Sequence, residues 1–264
     1  SDRPADGRGV ELIPLTREDR PDGLRYEHLV VELNRDDRLA TLRLFGPSQP
    51  PPSSTEAMLA EGASYWPLAL ARELDDAILH LRANEPEIGT LVFTSEGDLE
   101  QVLAHDAFLD THQTHWLVRE ILLYWKRTLK RVDLTSRSLF TLIEPGSCFA
   151  GLLAELVFAA DRSYMLEGQF EGDNRPEAEV ALSRLNFGAF PMSNGLTRLA
   201  TRFLGEPDTL RHAESVIGER LDGPAALDAG LVTFAPDDID WEDEIRLLIE
   251  ERASFSPDAM VGME

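Results

Sequence analysis

Cysteine and long apolar runs are both scarce in this sequence. It has 264 residues and one cysteine, Cys148, which excludes an internal disulfide framework and is typical of a reducing cytosol. No stretch of about eighteen apolar residues is present, so the sequence predicts no transmembrane helix. The first residues, 1–8, are polar and do not resemble a secretory signal. We therefore expect a cytoplasmic protein.

Positive charge is also scarce. The sequence sets 25 Lys and Arg against 48 Asp and Glu, which gives a formal net charge of -23. A chain this acidic repels phosphate backbones and anionic headgroups, so we expect neither nucleic acid nor a membrane as a partner. A Walker loop, a dinucleotide fingerprint and a Ser–His–Asp pattern are missing as well. We accordingly expect no cofactor.

Apolar residues are plentiful, because hydrophobic residues make up 43% of the sequence, enough for a sizeable core. Apolar runs of strand length alternate with segments of helical period, which predicts an α/β fold. The predicted strands are 26–34, 39–45 (a hairpin with the first), 88–94, 139–143 and 231–234, and the main predicted helices are 66–83, 99–103, 111–132, 149–160, 195–204, 208–217, 223–229 and 239–253. Residues 1–23 are polar and contain several prolines, so we interpret them as a linker and 24–264 as the folded domain.

The most strongly patterned segment is 139–166, which predicts a buried strand, a Pro145-Gly146 turn, an apolar helix and a second strand. Glu155 is the one charged residue within 149–160, so that helix must be buried on most sides. The N–H groups at the start of such a helix can bind an anion or a developing oxyanion. On the pattern alone, a central βαβ unit without chemistry is the simpler interpretation.

Three motifs, in this order, resemble the crotonase (enoyl-CoA hydratase/isomerase) superfamily. They are the strand–loop–helix at 144–161, Asn-Phe-Gly-Ala-Phe-Pro at 186–191 followed by Gly-Leu-Thr-Arg-Leu at 195–199, and Asp-Ala-Gly-Leu-Val at 228–232. The resemblance implies a crotonase-like spiral of ββα units with flanking helices. It also implies a site in which the N-terminus of the central helix forms half of an oxyanion hole for a CoA thioester.

Further motifs resemble one branch of that superfamily, the C-terminal half of the benzoyl-CoA-dihydrodiol lyases. They lie at 66–68 with 71–79, at 136–140, at 144–151 and at 236–241. This resemblance covers nearly all of the sequence and implies a lyase of aerobic benzoate degradation. Such a lyase opens the oxygenated ring of 2,3-epoxybenzoyl-CoA with water, and it yields formate and 3,4-dehydroadipyl-CoA semialdehyde or acid.

The branch also implies a division of labour between two crotonase-like halves of one long chain. Its N-terminal half carries the catalytic residues, and its C-terminal half is a divergent scaffold that supports a homodimer. We therefore expect the present sequence to be truncated at both ends and to be inactive by itself. The expected partners are the N-terminal half, a second copy, and an acyl-CoA substrate that binds the full enzyme.

The resemblance carries two candidate site residues onto the central helix: Glu155 as an acid or base, and Leu152, whose backbone N–H would be an oxyanion donor. Both are weakened by departures from the family pattern. Leu152 and Leu153 stand where the family has glycines, and Arg184 stands where it has a second glutamate. Because an arginine cannot act as a general base at neutral pH, a two-carboxylate hydratase mechanism is not available here.

Alternative functions stay open at this point. A stand-alone enoyl-CoA hydratase or isomerase would use Glu155 and Leu152, and a non-catalytic acyl-CoA-binding module would need neither. His112 and His115, spaced i, i+3 on a predicted helix, could offer two imidazoles to a metal, but without a third ligand nearby we expect a polar face and no metal site. Cys148 is expected to be a buried, inert thiol in preference to a nucleophile.

Overall fold

A computed structural model describes residue 7 and residues 9–263 of the chain. Within these residues, seven strands form one sheet in sequence order, namely β1 (Glu18–Arg20), β2 (Gly23–Arg25), β3 (Leu29–Asn34), β4 (Leu39–Phe45), β5 (Thr90–Glu96), β6 (Ser138–Ile143) and β7 (Arg162–Met165). The helices are α1 (Thr55–Glu61), α2 (Trp66–Asn84), α3 (Leu99–Thr111), α4 (Trp116–Asp133), α5 (Gly151–Ala159), α6 (Arg198–Arg202), α7 (Pro207–Ser215), α8 (Gly223–Asp228), α9 (Trp241–Ala253) and α10 (Pro257–Met263). Short 3₁₀ helices cover Gly62–Ser64 and Arg184–Phe187.

The sheet begins antiparallel and becomes parallel. Strands β1 to β4 pair antiparallel, whereas β4 to β7 pair parallel because each is reached through a helical crossover. The predicted β3–β4 hairpin is confirmed, with Leu33 opposite Ala40 across the turn. Apolar side chains alternate inward along both strands, as the period of two requires. The α/β fold class predicted from the sequence is confirmed.

The N-terminal stretch differs from the linker expected at 1–23. Strand β1 and the first residue of β2 lie within it, and Glu18 pairs with Arg25. Every residue of β1 is exposed, so the strand has no apolar alternation that could reveal it in the sequence. Residues 1–6, the first part of that expected linker, lie outside the described residues. The domain boundary at residue 24 stays a prediction.

The helices predicted over 99–103 and 111–132 have different bounds in the structure. Helix α3 ends at Thr111, and α4 begins at Trp116 after a turn. His112 closes α3, and the side chain of His115 accepts a hydrogen bond from the N–H of Leu117 at the start of α4. The expectation that both imidazoles share one helix face is therefore wrong, because each sits at the end of a different helix.

Helix α5 is the most enclosed element of the fold. It begins at Gly151, two residues later than predicted, and every residue from Gly151 to Phe158 is buried. It packs against α3, α4, α6 and the 3₁₀ helix Arg184–Phe187. The prediction of a buried central helix is confirmed, and the surrounding elements bring residues from distant parts of the chain to its N-terminus.

The C-terminal part differs in two places from the predicted elements. Residues 231–234 contribute a bridge between Phe234 and Tyr164 instead of a full strand. Helix α10 was not predicted, because its sequence, Pro-Asp-Ala-Met-Val-Gly-Met, carries no clear apolar stripe. None of the helices within the described ranges combines the length and apolar composition needed to cross a bilayer.

Candidate functional site

The first turn of α5 holds a carboxylate. The N–H of Leu152, the expected oxyanion donor, donates to Asp106 Oδ2 over 2.9 Å, and the hydroxyl of Ser183 donates to the same oxygen over 2.6 Å. Gly151 precedes them with φ +45°, and a Cβ built there would lie 1.8 Å from that oxygen. A glycine is therefore required at this position both for the backbone conformation and for the approach of the carboxylate. The amide of Leu152 is engaged by the protein itself.

Asp106 is a buried acid with an incomplete set of partners. It is 1% exposed, and its second oxygen, Oδ1, has no hydrogen-bond partner among the residues that the structure describes. Burial raises the pKa of this carboxyl to about 7, while its bonds from Ser183 and Leu152 act in the opposite direction. The positive end of the α5 dipole also favours the ionised form.

Glu155 lies one turn further along α5 and is part of an ion-pair network. Its Oε1 accepts a bond from Asn186 Nδ2 over 2.7 Å, and its Oε2 accepts one from Arg198 Nη1 over 2.8 Å. Arg198 also donates to both carboxylate oxygens of Asp133, over 2.9 and 2.7 Å. Burial raises the pKa of Glu155, and the positive charge of Arg198 opposes that rise. Both oxygens of Glu155 are thus occupied by protein donors.

Asn186 joins the two carboxylates. Its Oδ1 accepts the N–H of Ser183 over 2.9 Å, and its Nδ2 also donates to the carbonyl of Gly151 over 2.8 Å. The result is a single buried polar network, which runs through Asp106, Ser183, Asn186, Glu155, Arg198 and Asp133 and which we call the α5 network. Such a network fixes the positions of four elements around α5, because each member has a specific partner.

A cavity of about 450 Å³ opens beside the Asp106 end of the α5 network. Its apolar lining includes Leu103, Leu182 and Ile217, and its charged lining includes Asp106, Asp110 and Arg184. Arg184 is exposed, so its charge is hydrated. Glu155 and Leu152 are not among the residues that line this cavity, and they therefore do not face the space in which a ligand would sit.

The other sequence candidates are structural. Cys148 is fully buried, and burial raises the pKa of its thiol to about 12, so the reactive thiolate does not form at neutral pH. Its Sγ lies 3.0 Å from the Cβ position of Gly46 and 3.3 Å from that of Gly97, which explains the absence of side chains there. Among the described residues, no group of three or more His, Cys, Asp or Glu side chains is placed to hold a metal ion.

The loop after β5 is held together by its own hydrogen bonds. There the N–H of Gly97 donates to the carbonyl of Gly146 over 3.1 Å, and Asp98 caps α3 by accepting from the N–H of Glu100. The N–H of Cys148 donates in turn to Ser95 Oγ over 3.0 Å. These groups hold the loop together and are not aimed at the cavity beside Asp106.

Five of the six members of the α5 network were not predicted from the sequence, namely Asp106, Asp133, Ser183, Asn186 and Arg198. Arg198 falls in the Gly-Leu-Thr-Arg-Leu motif and could have been proposed as a partner for Glu155. Asp106 carried no such signal, because it lies 46 residues from Leu152 on a helix whose buried face also holds His105. A buried face that contains polar residues weakens the apolar period on which helix assignment depends.

Comparison with known proteins gives one relative along the whole chain. The chain is 46% identical over 264 residues to a benzoyl-CoA-dihydrodiol lyase from Aromatoleum evansii, a match that covers 100% of this chain and 47% of the relative. The chain therefore spans about half the length of the curated relative that it matches. No family model matches it.

Solved structures with the same fold include enoyl-CoA hydratases and isomerases. An enoyl-CoA hydratase from Geobacillus kaustophilus superposes with a TM-score of 0.55 at 17% identity, over 90% of this chain and 79% of its own. An enoyl-CoA hydratase/isomerase from Xanthobacter autotrophicus superposes with a TM-score of 0.58 at 14% identity, over 90% of this chain and 78% of its own. The crotonase fold expected from the motifs is confirmed.

Proposed function

We propose that this chain is the non-catalytic scaffold half of a larger enzyme. The proposal is supported by its crotonase fold and by its similarity, along its whole length, to half of a benzoyl-CoA-dihydrodiol lyase. The whole protein would open the oxygenated ring of 2,3-epoxybenzoyl-CoA with water, with formate and a 3,4-dehydroadipyl-CoA product. Catalysis would take place in the other crotonase-like half, which this chain would support and help to dimerise.

The observation that carries this proposal is the bond from Leu152 to Asp106. A thioester enolate needs free N–H donors about 3 Å from the position of its oxygen. Here the donor already serves a carboxylate at 2.9 Å. A second negative oxygen at that place would be repelled by the carboxylate, so this half does not offer an oxyanion hole.

The state of Glu155 supports the same role. A general base must reach the proton that it removes, with a heavy-atom distance of about 2.6–3.2 Å in a plausible substrate pose. Glu155 is 1% exposed, does not line the cavity, and uses both oxygens for Asn186 and Arg198. Its substitution is expected to change stability and not the chemical step. A stand-alone hydratase based on Glu155 and Leu152 is disfavoured for these reasons.

The proposal is tested in the whole protein with the variant Glu155→Gln. We expect kcat per folded molecule, measured as formate release from 2,3-epoxybenzoyl-CoA, to stay within about twofold of the parent, whereas a lost acid or base costs about 10²-fold or more. The urea midpoint should fall. A variant with parental stability and a large loss of kcat would refute the scaffold role.

A complementary experiment uses the isolated chain. Where circular dichroism shows that the chain folds alone, we expect neither ring opening nor heat upon titration with benzoyl-CoA. Ring opening would refute the scaffold role outright. Binding without turnover would favour an acyl-CoA-binding module, and sedimentation of the whole protein then measures whether a homodimer forms.

A further inference from the structure

The cavity beside Asp106 combines an apolar wall with a buried oxygen that lacks a partner. Asp106 is 1% exposed and lines the cavity, and its Oδ1 has no donor anywhere in the described part of the chain. A buried polar atom without a partner costs about 1–3 kcal/mol, and more when the group is charged. Because Asp106 lines the empty space, a ligand in the cavity that donates a hydrogen bond would supply the missing partner.

Two donors contact the Asp106 carboxylate within the described residues, and both are already used. Leu152 N–H and Ser183 Oγ–H both donate to Asp106 Oδ2, so neither of them is free to bind an anionic ligand. Asp110 adds a second acid to the lining. The net charge of -23 extends the negative potential over the whole chain, which raises the local concentration of cations.

We propose that this cavity is a binding site for a small primary amine with an apolar body, whose ammonium group donates to Asp106 Oδ1 and whose body contacts Leu103, Leu182 and Ile217. The site is separate from thioester chemistry and does not depend on the scaffold role. The site selects a cation because the N-terminus of α5, which would otherwise attract an anion, is already occupied by the carboxylate of Asp106.

The opposing feature is Arg184, which also lines the cavity. Its guanidinium would attract a carboxylate ligand, but the side chain is exposed and an exposed charge contributes little to binding. Asp106 is buried, so its interaction with an ammonium group is screened far less by water. The two side chains therefore predict opposite ligand preferences, and a direct comparison decides between them.

The experiment compares benzylamine, benzyl alcohol and benzoate, which have nearly the same shape, by calorimetric titration of the whole protein. A pH of about 8 keeps the amine protonated and lies above the pKa of Asp106, which is about 7. Benzylamine should bind more tightly than benzyl alcohol, and benzoate should not compete with it. Benzoate binding that displaces benzylamine would show that Arg184 dominates and would overturn the proposal.

The matched variants are Asp106→Asn and Asp110→Asn, which remove the same charge from different places. Asparagine at 106 must keep its oxygen toward Leu152 and Ser183, so its NH₂ group replaces the free Oδ1. Benzylamine affinity should then fall about tenfold or more, whereas Asp110→Asn should change it by about threefold or less. Equal affinity in the parent and in Asp106→Asn would overturn the proposal.

A second variant covers the case in which Asp106→Asn does not fold. Ala107 is exposed and lines the cavity, so Ala107→Trp fills part of the space without disturbing the α5 network. Benzylamine binding should be lost in this variant while thermal unfolding stays near that of the parent. Unchanged benzylamine binding in Ala107→Trp would place the amine elsewhere and would overturn the proposal.

Discussion

Replacing Arg198 with methionine tests the α5 network at its most highly charged point. Arg198 is 2% exposed and contacts the carboxylates of Glu155 and Asp133. Removing one partner of a buried ion pair typically costs about 3–5 kcal/mol, because a charge is left in a site that water does not reach. The free energy of unfolding of a typical domain is about 5–15 kcal/mol, so the variant should lose a large part of its stability.

The loss of stability in Arg198→Met should depend on pH. Burial already raises the pKa of Glu155 above its ordinary value, and removal of the guanidinium raises it further. A carboxyl whose folded pKa exceeds its unfolded value of about 4.3 loses stability as pH rises through the interval between the two values. The deficit of Arg198→Met should therefore be larger at pH of about 8 than at pH of about 5, where Glu155 is closer to protonated.

A matched control lies one turn away on the same helix. Arg202 is partly buried and donates to the carbonyl of Gly230 over 2.6 Å, without a carboxylate partner among the described side chains. Arg202→Met should cost about 1–2 kcal/mol and show little change with pH. Urea unfolding followed by circular dichroism at both pH values gives the comparison. Equal, pH-independent losses in the two variants would refute the electrostatic account of the network.

Three further predictions concern the Asp106 end of the network and the buried thiol. Gly151→Ala should lower the free energy of unfolding by about 2–4 kcal/mol, because its Cβ would lie 1.8 Å from Asp106 Oδ2 and the backbone has φ +45°. The control in the same urea-unfolding experiment is Gly188→Ala, whose Cβ would have no atom within 4 Å. Cys148 should react with a thiol reagent far more slowly in the native than in the urea-unfolded protein, since burial raises its pKa to about 12; equal rates would contradict the buried placement. The pKa of Asp106 is raised from 3.8 to about 7, so the free energy of unfolding should fall as pH rises between these values. In urea titrations across pH, Asp106→Asn should make this decline shallower. An unchanged dependence of stability on pH would contradict the raised pKa.

The sequence predicts the central strand–turn–helix well because its signals are local. The apolar run before Pro145 and the nearly uncharged segment around Glu155 specify β6 and α5 by composition, and a buried element needs little else. Strand β1 could not be predicted in the same way, since its residues are exposed and only its pairing with β2 makes it a strand.

The partners within the site could be predicted only in part. Glu155 and Leu152 were placed on one helix, three residues apart, and the structure has them so. What each of them contacts depends on Asp106 and Arg198, which lie 46 and 43 residues away in the sequence. Contacts between residues so far apart in the sequence depend on how the helices pack around α5, and local helix propensity does not predict them. The roles of Glu155 as an acid or base and of Leu152 as an oxyanion donor stay predictions.

The order of the sheet bears on how the chain folds. Strands β1 to β7 lie side by side in the order of the sequence, so each strand can pair with the one before it as soon as it is available. The α5 network joins Asp106 to Arg198 and needs α3, α4, α5 and α6 to be in place. Since long loops must close before such contacts can form, we expect the sheet to assemble progressively and the network to close late. Substitutions in the network should then mainly accelerate unfolding and leave the rate of folding nearly unchanged.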